Sequence, residues 1–391
     1  MWSWWHDRGV FLELVELGSI LKLEKGRKPV RQDCRCGDGF APYVDIEAFE
    51  TGNIRRYTDG EKCVPCEEGD ILIVCDGSRS GLAGYAVKGY VGSTLAKISA
   101  EGLSGPYLFH FLQGKYSLLN TRKRGTGTPH LDVEMLRGLR LRVPAPSEQE
   151  RTVARLEGQL AQLNAAETRL KAVKEHLRAY RQAVLKEAFS KYHTFASLGQ
   201  VSERIFDGPF GSNLKTADYV NRGIRVVRLE NLRNTWFDDS KQSFISEEKY
   251  QAISSHTVYP DDLIMATFIA DDVKICQLPR DIGFAVNKAD CIGIRLKGEM
   301  SSRFVMFYLS SKDMYFKLAN QVHGATRPRV NTRQIRALQI PITGLQEQNA
   351  VVSLIERRFS ACEQMERTIE TALRQSEALR QSILKKAFEG D

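Results

Sequence analysis

Nowhere in this 391-residue chain do about 18 uncharged apolar residues follow one another, so the sequence holds no membrane-spanning helix. Met1-Trp2-Ser3-Trp4-Trp5-His6-Asp7-Arg8 lacks the cationic start and apolar core of an export signal, which points to a cytoplasmic protein. There is no G-x-x-x-x-G-K-[ST] loop to cradle a nucleotide's phosphates, and no Asn-Pro-Pro or Asp-Pro-Pro tetrapeptide of the kind amino-methyltransferases carry. ATP hydrolysis and methyl transfer therefore have no visible site. The 8 cysteines form no evident disulfide framework, and Cys75, Cys276, Cys291 and Cys362 stand apart as expected core residues. Only Cys34, Cys36, Cys63 and Cys66 have a spacing, C-x-C then C-x-x-C, that could offer four thiolates to a structural zinc. Against zinc, Cys66 runs into Glu67-Glu68-Gly69-Asp70 at a turn, and the second half has no matching cysteines.

What the chain does contain is a copy of itself. Glu148 to Phe189 and Glu347 to Phe388 align without a gap, each opening on Glu-Gln and closing on Arg-Gln-x-x-Leu-Lys-x-Ala-Phe. A period near half the chain length is too long for a solenoid repeat and implies a duplicated module of globular domain plus helix. An apolar fraction of 42% is ample for packed cores. Lys+Arg of 56 against Asp+Glu of 48 leaves a net charge of +8, which favours an acidic partner.

The repeated segments carry coiled-coil periodicity. Leu156, Leu163, Leu170, Leu177 and Val184 recur every seventh residue, with Val153 and Leu160 between them. Ile355, Cys362, Ile369, Ser376 and Ile383 repeat the register, backed by Val352, Phe359, Leu373 and Leu379. Helices of this length reach about 60 Å and cannot be buried in one small domain, so an intramolecular antiparallel pair is expected. The fold class is accordingly α/β. It comprises two similar globular domains separated by two long helices that pair as an antiparallel coiled coil with pseudo-twofold symmetry. The expected boundaries are 1–147 and 192–346 for the domains, 148–191 and 347–391 for the helices.

The globular segments match as well. Strands are expected at Pro42–Ile46 and Gly69–Val74, then an apolar helix at Tyr107–Leu119, with counterparts at Arg225–Leu229, Asp262–Met265 and Phe304–Leu318. Leu17-Gly18-Ser19-Ile20 returns as Leu198-Gly199-Gln200-Val201, and Gly125-Thr126-Gly127-Thr128-Pro129 as Gly324-Ala325-Thr326-Arg327-Pro328. Arg142-Val143-Pro144 and Gln339-Ile340-Pro341 lead into the helices. In this order and twice over, these motifs resemble the specificity subunit of type I restriction-modification systems. Asp207-Gly208-Pro209-Phe210-Gly211-Ser212-Asn213-Leu214-Lys215 looks like the opening of a target recognition domain of that family.

The resemblance implies a non-catalytic reader of double-stranded DNA, each domain recognising one half of a bipartite sequence. It implies helices that dock two methyltransferase subunits, with restriction subunits of translocase and nuclease activity joining them. S-adenosylmethionine, ATP and Mg would belong to those partners, leaving no cofactor in this chain. Candidate DNA contacts are Arg122, Lys123, Arg124 and Thr126 in the first Gly-Thr loop, Arg327 and Arg329 in the second, Asn213 and Lys215 in the opening loop, and Arg79. Most cations near DNA touch phosphates or nothing, so a structural turn with solvated charges is the competing view. Phe210 and Tyr219 are assigned to the core ahead of DNA contact. Pro260-Asp261 and Asp272-Val273-Lys274 superficially fit a metal-dependent endonuclease, but the first half lacks the Asp-x-Lys. A scaffold that bridges subunits without touching DNA is the third reading.

Overall fold

The computed structural model describes residues 14–121, 129–322 and 329–389, which fall into two compact units. Unit 1 gathers Met1–Leu170 and Thr371–Asp391, and unit 2 is Lys171–Glu370. The repeat is thus cut inside its helices.

Unit 1 runs β1 (Val15–Glu16), β2 (Leu21–Lys25), β3 (Ala41–Val44), α1 (Ile46–Thr51), β4 (Tyr57–Thr58), β5 (Pro65–Cys66), β6 (Ile71–Val74), β7 (Ala83–Tyr85), β8 (Gly89–Val91), β9 (Leu95–Ala100), α2 (Gly105–Thr121), α3 (Val133–Arg137) and β10 (Arg140–Leu141), then enters α4 (Pro146–Phe189). One four-stranded sheet has the order β2-β9-β6-β7, all antiparallel, and a second has the order β4-β3-β8-β5 with β3 and β8 parallel. The strand expected over Pro42–Ile46 stops at Val44. There Asp45 turns the chain and its carboxylate accepts the N–H groups of Glu47 and Ala48, so Ile46 starts a helix.

Unit 2 repeats this with β11 (Phe195–Ser197), α5 (Leu198–Val201), β12 (Ser202–Asp207), β13 (Tyr219–Val220), β14 (Ile224–Val227), β15 (Phe244–Ile245), α6 (Glu247–Ile253), β16 (Thr257–Val258), β17 (Leu263–Ala266), β18 (Ile275–Gln277), β19 (Ala285–Asn287), β20 (Cys291–Leu296), α7 (Ser302–Leu309), α8 (Lys312–Asn320), α9 (Thr332–Arg336), β21 (Gln339–Pro341) and α10 (Leu345–Glu389). The order β12-β20-β17-β18 reproduces the antiparallel sheet of unit 1, and parallel β14 and β19 reproduce β3 and β8. Unit 2 adds β13 on the edge. The apolar stretch Phe304–Leu318 is two helices, not one. Ser310 ends α7 by donating its hydroxyl to the Phe307 carbonyl, and Ser311 caps α8 by accepting the Met314 N–H.

Both signatures that frame the long helices have a structural cause. The Gln of each Glu-Gln start is buried and clamps the loop after the sheet. Gln149 donates to the carbonyls of Gly102 (2.7 Å) and Pro144 (2.9 Å) and accepts the Ser104 N–H (2.8 Å). Gln348 does the same with Glu299 (3.1 Å), Thr343 (2.8 Å) and Ser301 (2.8 Å). These bonds satisfy backbone groups that would otherwise be stranded at the helix start. The Phe of each Ala-Phe end is a core residue. Phe388 packs edge-on against Tyr107 and Phe111 in unit 1, with ring centroids 5.0 and 5.6 Å away, while Phe189 meets Phe304 and Tyr308 in unit 2, both at 5.2 Å. Each unit is therefore closed by the beginning of one long helix and the end of the other.

Within each unit the two helices run antiparallel. In unit 1, Val153, Leu156 and Leu160 share a core with Ile383, Leu384 and Phe388, and Arg380 reaches Glu167 at 3.1 Å. In unit 2, Val184 and Phe189 share a core with Val352, Ile355 and Phe359, and ion pairs join Lys174 to Glu370 (2.9 Å), Arg181 to Glu366 (3.1 Å) and Glu187 to Arg358 (2.7 Å). Rising numbers on α4 meet falling numbers on α10. Of the heptad positions, Leu156, Leu177, Ile355, Cys362, Ile369 and Ser376 are buried, while Leu163, Leu170 and Ile383 are half-buried. Leu379, read as backing the seam, is 50% exposed, and near the helix end Leu384 is buried more deeply than Ile383.

Candidate nucleic-acid interface

The loops that leave the antiparallel sheet of each unit at one corner carry four of the nine sequence-predicted contacts. In unit 2 that corner is made where β12, β17 and the start of β20 meet. Gly208 follows β12 directly and lies so close to the Lys288 carbonyl that a Cβ would collide with it, which is why glycine stands there. Its N–H donates to Cys291 (3.2 Å), after which the chain turns through Phe210, Asn213 and Lys215. The turn is pinned at its far end. Leu214 is buried with Val226, Ile245 and Val286, and the Lys215 N–H donates to Asp218 at 2.6 Å. That hydrogen bond, then the ion pair with Lys249, holds the Asp218 carboxyl below its ordinary range. Lys288 and Arg228 both lie over the Tyr219 ring, at 5.1 and 5.6 Å from its centre.

From the other side of the corner, Val330 donates its N–H to the Thr267 carbonyl at 2.9 Å, and Arg329 forms an isolated antiparallel bridge with Phe268. The Arg329 guanidinium lies 4.3 Å from the centre of the Phe268 ring and 3.1 Å from the Asp290 carboxylate. Lys215, Lys288, Arg228 and Arg329 thus ring a surface that displays aromatic side chains. Cations with rings can neutralise phosphates and pack on sugars or bases.

Unit 1 builds the same corner from different residues. Gly26 follows β2 directly, meets the Gly92 carbonyl as Gly208 meets Lys288, and donates to Leu95 at 2.9 Å. The loop after it holds exposed Arg27, Lys28 and Arg31. Opposite, Leu131 donates its N–H to the Cys75 carbonyl at 2.7 Å, so Asp76 and His130 occupy the places of Phe268 and Arg329. Asp76 accepts from Lys25 Nζ at 2.7 Å and lies 2.7 Å from His130 Nδ1. Burial works against its charged form, but these cations outweigh it and lower its pKa. Asn120 secures the turn by donating to the Ser78 and Ser80 carbonyls, both at 3.0 Å. Arg79, on that turn, pairs with Glu50 and stays more than half exposed.

Of the predicted contacts, Arg79 lies on the unit 1 corner, and Asn213, Lys215 and Arg329 lie on the unit 2 corner. Arg122, Lys123, Arg124, Thr126 and Arg327 lie outside the described residues. The sequence reading passed over Lys25, Arg27, Lys28, Arg31 and His130 in unit 1 and Arg228 and Lys288 in unit 2. Gly26 was the available signal for the first group, since it ends its strand as Gly208 does. Lys288 had no such marker. Tyr219 packs against the unit 2 core as assigned, but Phe210 does not; it is 81% exposed, because Leu214, four residues on, takes the buried place in that loop.

Among the described residues no group of three or more His, Cys, Asp or Glu side chains is poised to hold a metal ion. Cys34 and Cys36 are exposed whereas Cys66 is buried, donates to the Val87 carbonyl, and has its thiol pushed up to about 11 by burial. Asp261, the first carboxylate of the endonuclease pattern, is taken up by Gln277 (2.5 Å) and Arg280 (3.1 Å). No described helix is long and apolar enough to cross a membrane.

The comparisons with known proteins agree with this architecture. Residues 12–175 match the family model for the type I restriction modification DNA specificity domain. The specificity subunit of the type I restriction enzyme MjaVIII of Methanocaldococcus jannaschii is 24% identical over 91% of this chain and 89% of its own length. That of the Escherichia coli enzyme EcoBI is 23% identical over 90% of this chain and 80% of its own. A chain solved to explain complex assembly and conformational transition of the type I system superposes with a TM-score of 0.73 at 16% identity, covering 96% of this chain and 97% of that one, and shares the fold.

Proposed function

We propose, from the premise that this chain belongs to the specificity subunits of type I restriction-modification systems, that each of its units reads one half of a split DNA target. The chain is the DNA-recognition subunit of such a system and is not itself catalytic. The observation that carries the two-part reading is the corner built twice. The same close-approach glycine and the same strand pairing present cations in both units, yet hardly one exposed side chain is the same. A repeated scaffold with different faces is what recognition of two different half-sites requires, because backbone contacts position a protein while base edges specify the sequence.

The long helices supply the docking surface for two methyltransferase subunits, and restriction subunits with translocase and nuclease activity complete the assembly. S-adenosylmethionine, ATP and Mg act in those partners. The test is a map of methylated bases in host DNA with and without this gene. A split motif that depends on the gene is expected, and replacing residues 1–147 with those of a homologue should alter one half alone. If both halves change together, the units do not read independently.

A further inference from the structure

Among the described large hydrophobic residues none is more exposed than Phe210, at 81%. Scattered exposed apolar residues are ordinary, so exposure alone says little. Its setting says more. The turn that carries Phe210 is fixed before it, where Gly208 donates to Cys291 at 3.2 Å. It is fixed after it, where Asn213 donates back to the Phe210 carbonyl at 2.8 Å and Leu214 is sunk in the core at 1% exposure. A phenyl ring is thereby carried into water on a short loop with a tethered backbone, whose root lies against Lys288 and whose end is Lys215. Unit 1 repeats the device in a smaller form, since Val30 is 58% exposed on the loop that follows Gly26 between Lys28 and Arg31.

We infer that Phe210 makes an apolar contact with the bases of duplex DNA, a role that rests on the DNA-recognition reading above. A ring presented on a tethered loop beside cations is suited to this: the cations bring the phosphates close without reading sequence, and the ring then packs against a thymine methyl or wedges at a base step. Fixing the loop backbone in advance lowers the ordering cost of binding. The contact contributes affinity that does not depend on salt, whereas Lys215 beside it contributes affinity that does.

The experiment uses this chain co-purified with its methyltransferase subunits and a short duplex copied from a genomic site that the wild type methylates. Affinity is measured across a salt series for the wild type, Phe210→Ala, Phe210→Leu and Lys215→Ala. Phe210→Ala should weaken binding about tenfold with an unchanged salt slope, and Phe210→Leu should retain most of the affinity. Lys215→Ala should lower the slope by about one. Because Phe210 is exposed, its variants should melt at the wild-type temperature. The inference is overturned if Phe210→Ala binds normally while Lys215→Ala does not, which leaves the DNA-recognition reading standing. It is also overturned if Phe210→Ala sheds a methyltransferase subunit, since the ring then faces protein. Absence of any salt-dependent binding by the wild type removes the reading and the inference together.

Discussion

Units 1 and 2 hang different equipment on one frame. Both pair their four-stranded sheet in the same order, both close it with a buried glutamine and a terminal phenylalanine, and both set glycine where strand two meets a neighbouring carbonyl. They part company outside that frame. Unit 2 adds an edge strand, splits one helix in two and faces outward with Phe210, Phe268 and Arg329, whereas unit 1 shows Lys25, Asp76 and His130. Backbone hydrogen bonds and buried volume constrain the frame tightly, because a defect there costs several kcal/mol, while exposed loop residues change at almost no cost to stability. Duplication followed by divergence of the loops is therefore physically easy.

That equivalence can be broken one unit at a time. The largest effect is expected from Phe388→Ala and Phe189→Ala, each removing an aromatic ring from a packed core at a cost of about 4 kcal/mol. Denaturant unfolding followed by hydrogen exchange should show loss of protection in unit 1 for the first and in unit 2 for the second, and identical protection patterns would mean that the units are not separable. Gln149→Ala and Gln348→Ala come next. Each strands two carbonyls and one N–H, for about 3 kcal/mol, again confined to its own unit in the same exchange measurement.

Asp70 and Asp262 sharpen the contrast, for they occupy the same place before the central strand with different partners. Asp262 is buried and takes two bonds from Arg295, at 2.7 and 3.0 Å, which raise the arginine's pKa, whereas Asp70 meets Lys97 at 2.6 Å in a wetter setting. Asp262→Ala should cost about 3 kcal/mol and Asp70→Ala about 1, and equal midpoint shifts in urea would contradict the difference in burial. The smallest effect belongs to pH. The folded pKa of Asp76 lies below its unfolded value, so its contribution is complete at neutral pH and is lost as pH falls below about 4. Asp76→Asn should abolish that part of the acid sensitivity of unit 1 and leave unit 2 untouched, as a pH series of melting curves would reveal.

The helices, their antiparallel pairing and the duplicated α/β plan were legible because periodicity and repetition act over many residues. The matched Glu-Gln and Ala-Phe ends marked the anchors, although nothing in the sequence tells that Gln149 is buried or that Phe388 belongs to a core begun near residue 107. The interface was legible only in part. Arg79 and Lys215 stood beside glycine-rich turns and drew notice, but Lys288 sits at the mouth of an unremarkable strand and gains its place from a backbone neighbour, Gly208, far away in sequence. Phe210 was assigned to the core since phenylalanine usually goes there, and the nearby Leu214 took that place.

The closure of unit 1 by Leu384 and Phe388 sets a timetable for synthesis. A nascent chain leaving the ribosome can lay down the sheet of unit 1 early, but the aromatic plug for its core is translated only after all of unit 2. Until then Tyr107 and Phe111 lack their partner, and the half-made subunit carries an unsealed apolar seam that chaperones can hold and proteases can find. Completion of the first lobe is thus coupled to translation of the end of the second long helix.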